Sequence, residues 1–130
     1  MRIATRHSLA LALLGAAGAV HAAGFTLSSP TIKPGSTLTQ AQVFNGFGCS
    51  GQNISPALNW SGAPAGTKSF AVTVYDPDAP TGSGWWHWVV INLPADSTGL
   101  VEGAGSAAGK LPAGAVQGRT DFGAAAFGGA

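Results

Sequence analysis

Between Lys68 and Tyr75 apolar and polar positions alternate, and from Trp85 the alternation gives way to a nearly unbroken apolar run. In the first segment Phe70, Val72 and Val74 fall on one face of an extended chain and Asp76 continues it, while Ala71, Thr73 and Tyr75 fall on the other. A period of two predicts a strand with one buried side. The second segment, WWHWVVINL from Trp85 to Leu93, is apolar on both sides, as expected of a strand enclosed between layers. Strict alternation groups Trp85, His87, Val89 and Ile91 on one face and Trp86, Trp88, Val90 and Asn92 on the other. If the two strands pair antiparallel, the end that carries Asp76 meets the start that carries His87 at the loop between them.

Elsewhere the pattern is weaker. FTLSSPTI predicts a short strand through Phe25 and Leu27, closed by the turn signal Lys33-Pro34-Gly35. Ser36 to Phe47 has no clear period. NGFGCSGQNISPALNW is dense in turn formers before Leu58 and Trp60, and GAPAGT returns the chain to Lys68. The tail from Leu100 reads as loop, apart from a short strand near Ala115 to Gln117. No window has a helical period of amphipathic length, and no internal repeat is present. The expected fold is mainly β, an antiparallel sandwich with few short helices.

The first residues belong to something else. Arg2 and Arg6 precede an uncharged apolar run from Leu9 to Val20, and Val20-His21-Ala22 offers small residues to a signal peptidase. Crossing a bilayer takes roughly 20 apolar residues, more than this run supplies. Residues 1–22 are therefore read as a secretory signal and 23–130 as one β domain, in the periplasm or secreted, with no transmembrane anchor after cleavage.

Removing the signal reverses the charge balance. The whole chain carries a formal +1, but Lys33, Lys68, Lys110 and Arg119 stand against Asp76, Asp78, Asp96, Glu102 and Asp121 in the remainder, four cations to five anions and a net −1. The cations are scattered singly, which argues against a nucleic-acid partner. Glycine (20) and proline (8) are abundant, yet 45% of residues are apolar and fall into short bounded runs, so the chain is expected to fold. Cys49 is the single cysteine, so neither a zinc site nor a redox pair can be built from thiols.

The candidate chemistry lies in DPDAP and the histidine that follows it. Pro77 and Pro80 stiffen the loop and push Asp76 and Ala79 out of helical geometry. Rigid carboxylates facing a histidine among tryptophans can fix its tautomer or hold a ligand. The same residues also suit a plain turn, with Asp side chains capping local N–H groups and His87 as a satisfied core residue. A phosphatase of the Asp-nucleophile type would need helices that are missing here. A metal trio of Asp76, Asp78 and His87 would need its ligands to converge from rigid neighbours. Neither a Gly-x-Ser-x-Gly elbow nor a His-Glu-x-x-His helix is present, and His7 and His21 leave with the signal.

Taken together, NISPALNWSGAPAGTKSFAVTVYDPDAP, GWWHWVVINLP and AVQGRTDFG resemble the phosphatidylethanolamine-binding protein family, which includes the Raf kinase inhibitor proteins, and in particular its exported bacterial branch. The resemblance implies an antiparallel β-sandwich with a small pocket for anionic groups such as a phospholipid headgroup. It implies a pocket wall of Asp76, Asp78, Pro80, Trp85 and His87, bordered by Phe127. Family members continue with a His-Arg-Tyr segment, and often a second cysteine, beyond the position of Ala130, so the sequence reads as a protein lacking its C-terminal part. The expected function is non-catalytic binding of a small phosphate-bearing anion, with no cofactor and no metal. A protease- or kinase-inhibiting interaction protein is the alternative, and a weak hydrolase dependent on His87 is third.

Overall fold

The computed structural model describes residues 24–106 and 109–130. The expected signal sequence lies outside the described residues. Among the described residues eight strands form three antiparallel groups: β1 (Thr26–Ser28), β2 (Asn45–Gly46), β3 (Cys49–Ser50), β4 (Leu58–Ser61), β5 (Ser69–Asp76), β6 (Trp85–Pro94), β7 (Gly99–Leu100) and β8 (Val116–Gln117). One sheet has the order β1-β4-β7, another β5-β6-β8, and β2 and β3 form a hairpin. The described residues contain no helix.

β5 and β6 are the long central ribbon, and Asp76 stands opposite Trp85 in the antiparallel register. Gly82 and Gly84 let the connection reverse by adopting φ of 80° and 72°, and the Tyr75 hydroxyl donates to the Ser83 carbonyl at 2.7 Å. β8 covers the other edge of β6, leaving β5 at the margin of its sheet. Its residues alternate between exposed and half-buried, as the period of two requires.

β6 departs from strict alternation at two points. Between the pairs Tyr75↔Trp86 and Val74↔Trp88 it holds one extra residue, His87, and between Val72↔Val90 and Phe70↔Leu93 it holds another. Such bulges shift every later side chain to the other face. Trp86 and Trp88, expected on one face, are accordingly separated: Trp86 packs outside against Tyr75, the rings tilted with centroids 4.5 Å apart, while His87 and Trp88 are both buried. Asn92 marks the second bulge with φ of 58°, and its amide donates to the Gly114 carbonyl at 2.7 Å. Because a β-branched residue is strained in that region, Asn92→Val should lose about 1–2 kcal/mol in urea unfolding, more than Asn92→Gly loses. Equal losses would show that the bulge conformation is unimportant.

The buried face of the ribbon meets the other sheet. Trp88, Val90 and Leu93 from β6 pack with Leu58 and Trp60 from β4 and Leu100 from β7, and Ala104 and Phe127 complete the cluster. Phe70 reaches across to Phe25 and Trp60, with centroids 5.9 and 5.5 Å away. Buried polar groups are satisfied: the Trp60 and Trp88 indoles donate to the Ser97 carbonyl and the Gln117 amide oxygen, both at 2.7 Å. The Ser55 hydroxyl, fully enclosed, accepts from the Gly105 N–H at 2.9 Å.

Candidate functional site

The bulge at the start of β6 turns His87 inward, where it is 6% exposed. Its Nδ1 lies 2.8 Å from the Gly128 carbonyl and 3.1 Å from the Gly129 carbonyl. Carbonyl oxygens only accept, so Nδ1 carries the proton, and Nε2 is left for a ligand. In the neutral ring Nε2 accepts; in the imidazolium it donates.

The glycine segment is held against the ring from several sides. The Gly128 N–H donates to the His87 carbonyl at 2.9 Å, the Phe127 N–H to the Gly105 carbonyl at 2.7 Å, and the Phe44 N–H to the Ala130 carbonyl at 3.3 Å. Asn53, with φ of 56°, accepts the Gly129 N–H at 2.7 Å and donates to the Phe127 carbonyl at 3.4 Å. Asparagine tolerates that backbone region, which is why it can stand here without a glycine. Phe122 lies edge-on to both His87 and Trp85, with centroids 5.4 Å from each, and packs against Phe44 at 4.4 Å.

A groove of about 650 Å³ follows β5 from Phe70 to Asp76 beneath the opposing sheet, mostly apolar along its length, with Asp76 and His87 among its polar lining residues. Of the residues expected in the pocket, Asp76, His87 and Phe127 line it together. Asp78 and Pro80 are exposed on the loop, and Trp85 is half-buried opposite Asp76. The Asp76 carboxylate accepts the Asp78 N–H at 2.9 Å, an Asx turn favoured by the prolines around it, and the tautomer of His87 is fixed by main-chain carbonyls. Among the described residues no three histidine, cysteine or acidic side chains come together as a metal site, the trio of Asp76, Asp78 and His87 included.

Gly128, Gly129, Asn53 and Phe122 were not among the expected site residues. Two of them act through backbone atoms and leave no side-chain signature. Asn53 and Phe122 lie in stretches that carry the family resemblance, NISPALNW and AVQGRTDFG, but neither has a local pattern that marks it as part of a site.

An antiparallel β scaffold of the sandwich class, in which main-chain carbonyls orient a buried histidine that lines an apolar groove, is what these elements build. The chain belongs to the phosphatidylethanolamine-binding protein family, whose pattern matches residues 28–130. It is 66% identical over 110 residues to the UPF0098 protein YbcL of Escherichia coli K12, covering 84% of this chain and 60% of that protein. To YbhB of the same organism it is 58% identical over 104 residues, covering 80% of this chain and 66% of the relative. The crystal structure of E. coli YbcL, described as a member of the mammalian PEBP family, superposes with a TM-score of 0.80 over 82% of this chain and 65% of that one, at 66% identity. The chain thus spans about two thirds or less of the length of these relatives. A protein of Mycobacterium tuberculosis named as a lipoprotein, LppC, is 39% identical over 90 residues, which are 68% of this chain and 38% of that protein. No helix among the described residues is long and apolar enough to cross a membrane.

Proposed function

We propose that the protein is an exported, non-catalytic binder of small phosphate-bearing ligands, with the zwitterionic headgroup phosphoethanolamine as the best match. The observation that carries this reading is the fixed tautomer of His87. With Nδ1–H committed to two carbonyls, protonation can occur only at Nε2, and it creates a donor directed away from the glycine segment. A phosphate oxygen is a strong acceptor for such a charge-assisted hydrogen bond. Asp76, in the same groove, would repel a bare anion but suits the ammonium of an ethanolamine. The hydrogen bonds of His87 among the described residues go to carbonyls, not to a hydroxyl or thiol that it could activate, which supports binding over nucleophilic chemistry.

Calorimetric titration with phosphoethanolamine and with inorganic phosphate tests this. Phosphoethanolamine should bind more tightly, and His87→Ala should weaken it about ten- to hundredfold, the equivalent of a charge-assisted hydrogen bond of about 1.5–3 kcal/mol. Asp76→Asn should narrow the preference for phosphoethanolamine over phosphate. Affinity unchanged in His87→Ala would overturn the reading.

A further inference from the structure

The hairpin β2–β3 turns through Phe47 and Gly48, at φ of 53° and 89°. Two left-handed residues in a two-residue connection make a turn for which asparagine or glycine is the favoured first residue. A phenylalanine there is strained, and backbone strain held at a surface tip points to a use for the side chain. Its ring is 82% exposed, more than any other large apolar side chain described. It does not stand alone. Phe47 lies 5.4 Å from Phe44 and is stacked 6.1 Å from Phe122, the ring that also meets His87 and Trp85. The cluster is set close to the backbone: a side chain at Gly46 would overlap Phe44, and one at Gly128 would overlap Phe122. An aromatic rim therefore continues from the buried histidine to the exposed tip.

We propose that this hairpin is a membrane anchor: Phe47 enters the interfacial layer of a zwitterionic phospholipid bilayer and brings the His87 site to the headgroups. The inference rests on the reading of that site as a headgroup binder. A protruding aromatic ring gains by burial at the boundary between headgroups and acyl chains. The cations of the domain, Lys33, Lys68, Lys110 and Arg119, are scattered and outnumbered by its five acids, so attraction to anionic lipid supplies little. Apolar insertion into a zwitterionic surface is the mode consistent with that charge.

Flotation with vesicles of equal parts phosphatidylethanolamine and phosphatidylcholine, run beside calorimetry with soluble phosphoethanolamine, separates the two ideas. Phe47→Asn suits the left-handed turn and so should keep or raise the melting temperature. It should lower vesicle partitioning roughly tenfold or more, as expected for losing a buried aromatic ring, while Phe47→Trp preserves it. Affinity for soluble phosphoethanolamine should be the same in all three proteins. Vesicle binding by Phe47→Asn equal to the parent's, or no vesicle binding by the parent, overturns the anchor. Phe47-dependent vesicle binding without affinity for soluble phosphoethanolamine would uphold the anchor and refute the site reading.

Discussion

Gly129→Ala is expected to destabilise the protein by about 3 kcal/mol or more, at or above the upper end of the usual range for an overpacked site. The added methyl would fall on the Gln42 carbonyl and beside the Phe44 N–H, both of them backbone groups. Neither can swing aside. Gln42 is 2% exposed and its N–H is bonded to the Thr39 carbonyl, while the Phe44 N–H is bonded to the Ala130 carbonyl. For a domain of this size the melting temperature should drop by roughly 10 °C or more. Because Gly129 also supplies one of the acceptors of His87, the imidazole signals should report a loosened Nδ1–H in NMR spectra of whatever folded fraction remains. Gly24→Ala, where an added methyl meets open space, serves as the control. A Gly129→Ala protein that melts with the parent would show that the glycine segment is not seated against Gln42.

Trp88→Ala should be at least as damaging, at about 3–5 kcal/mol, the usual cost of deleting a large buried aromatic. Trp88 is completely enclosed, lies edge-on to Phe127 with centroids 5.8 Å apart, and belongs to the cluster that joins the two sheets. Its truncation opens a cavity at that junction and removes the donor to the Gln117 side chain on β8. Against a total stability of about 5–15 kcal/mol, a large part of the folded population is at risk. Trp88→Phe keeps most of the volume and loses the donor, and should cost about 1–3 kcal/mol. Urea midpoints give both values. A Trp88→Ala midpoint no lower than that of Trp88→Phe would mean the indole body contributes little, contrary to its burial.

The strands that form the core were readable because burial imposes a period. Phe70, Val72 and Val74 alternate with polar partners, Trp85 to Leu93 is apolar throughout, and Leu58 and Trp60 follow a cluster of turn formers. The bulges were not readable, since an extra residue in one strand of a pair is defined by its partner, and neither His87 nor Asn92 differs locally from an ordinary strand position. β7 and the β2–β3 hairpin have two-residue strands, too short for any period to appear. At the site, the lone histidine on an apolar strand could be singled out as chemistry. Its orienting partners could not, because they are carbonyls of two glycines 41 and 42 positions away. The DPDAP loop shows the converse: its residues stood out, and the Asp76 carboxylate makes the local turn that such sequences ordinarily make.

The marginal position of β5 has a consequence for handling the protein. Along Ser69–Asp76 no described strand pairs with the outer edge, so hydrogen-bonding groups along that edge are left unpaired by the sheet. Phe70, Val72 and Val74 are only half covered beside them, and the strand itself contains neither proline nor lysine, the residues that commonly blunt such edges. Lys68 and Pro77 guard its two ends but not its middle. Two copies could therefore dock edge to edge, extending one sheet into the next, and concentrated solutions are where such self-association would first be felt. A lysine at Thr73, exposed at the centre of the strand, would blunt that edge, though it would also set a charge beside the groove that β5 lines.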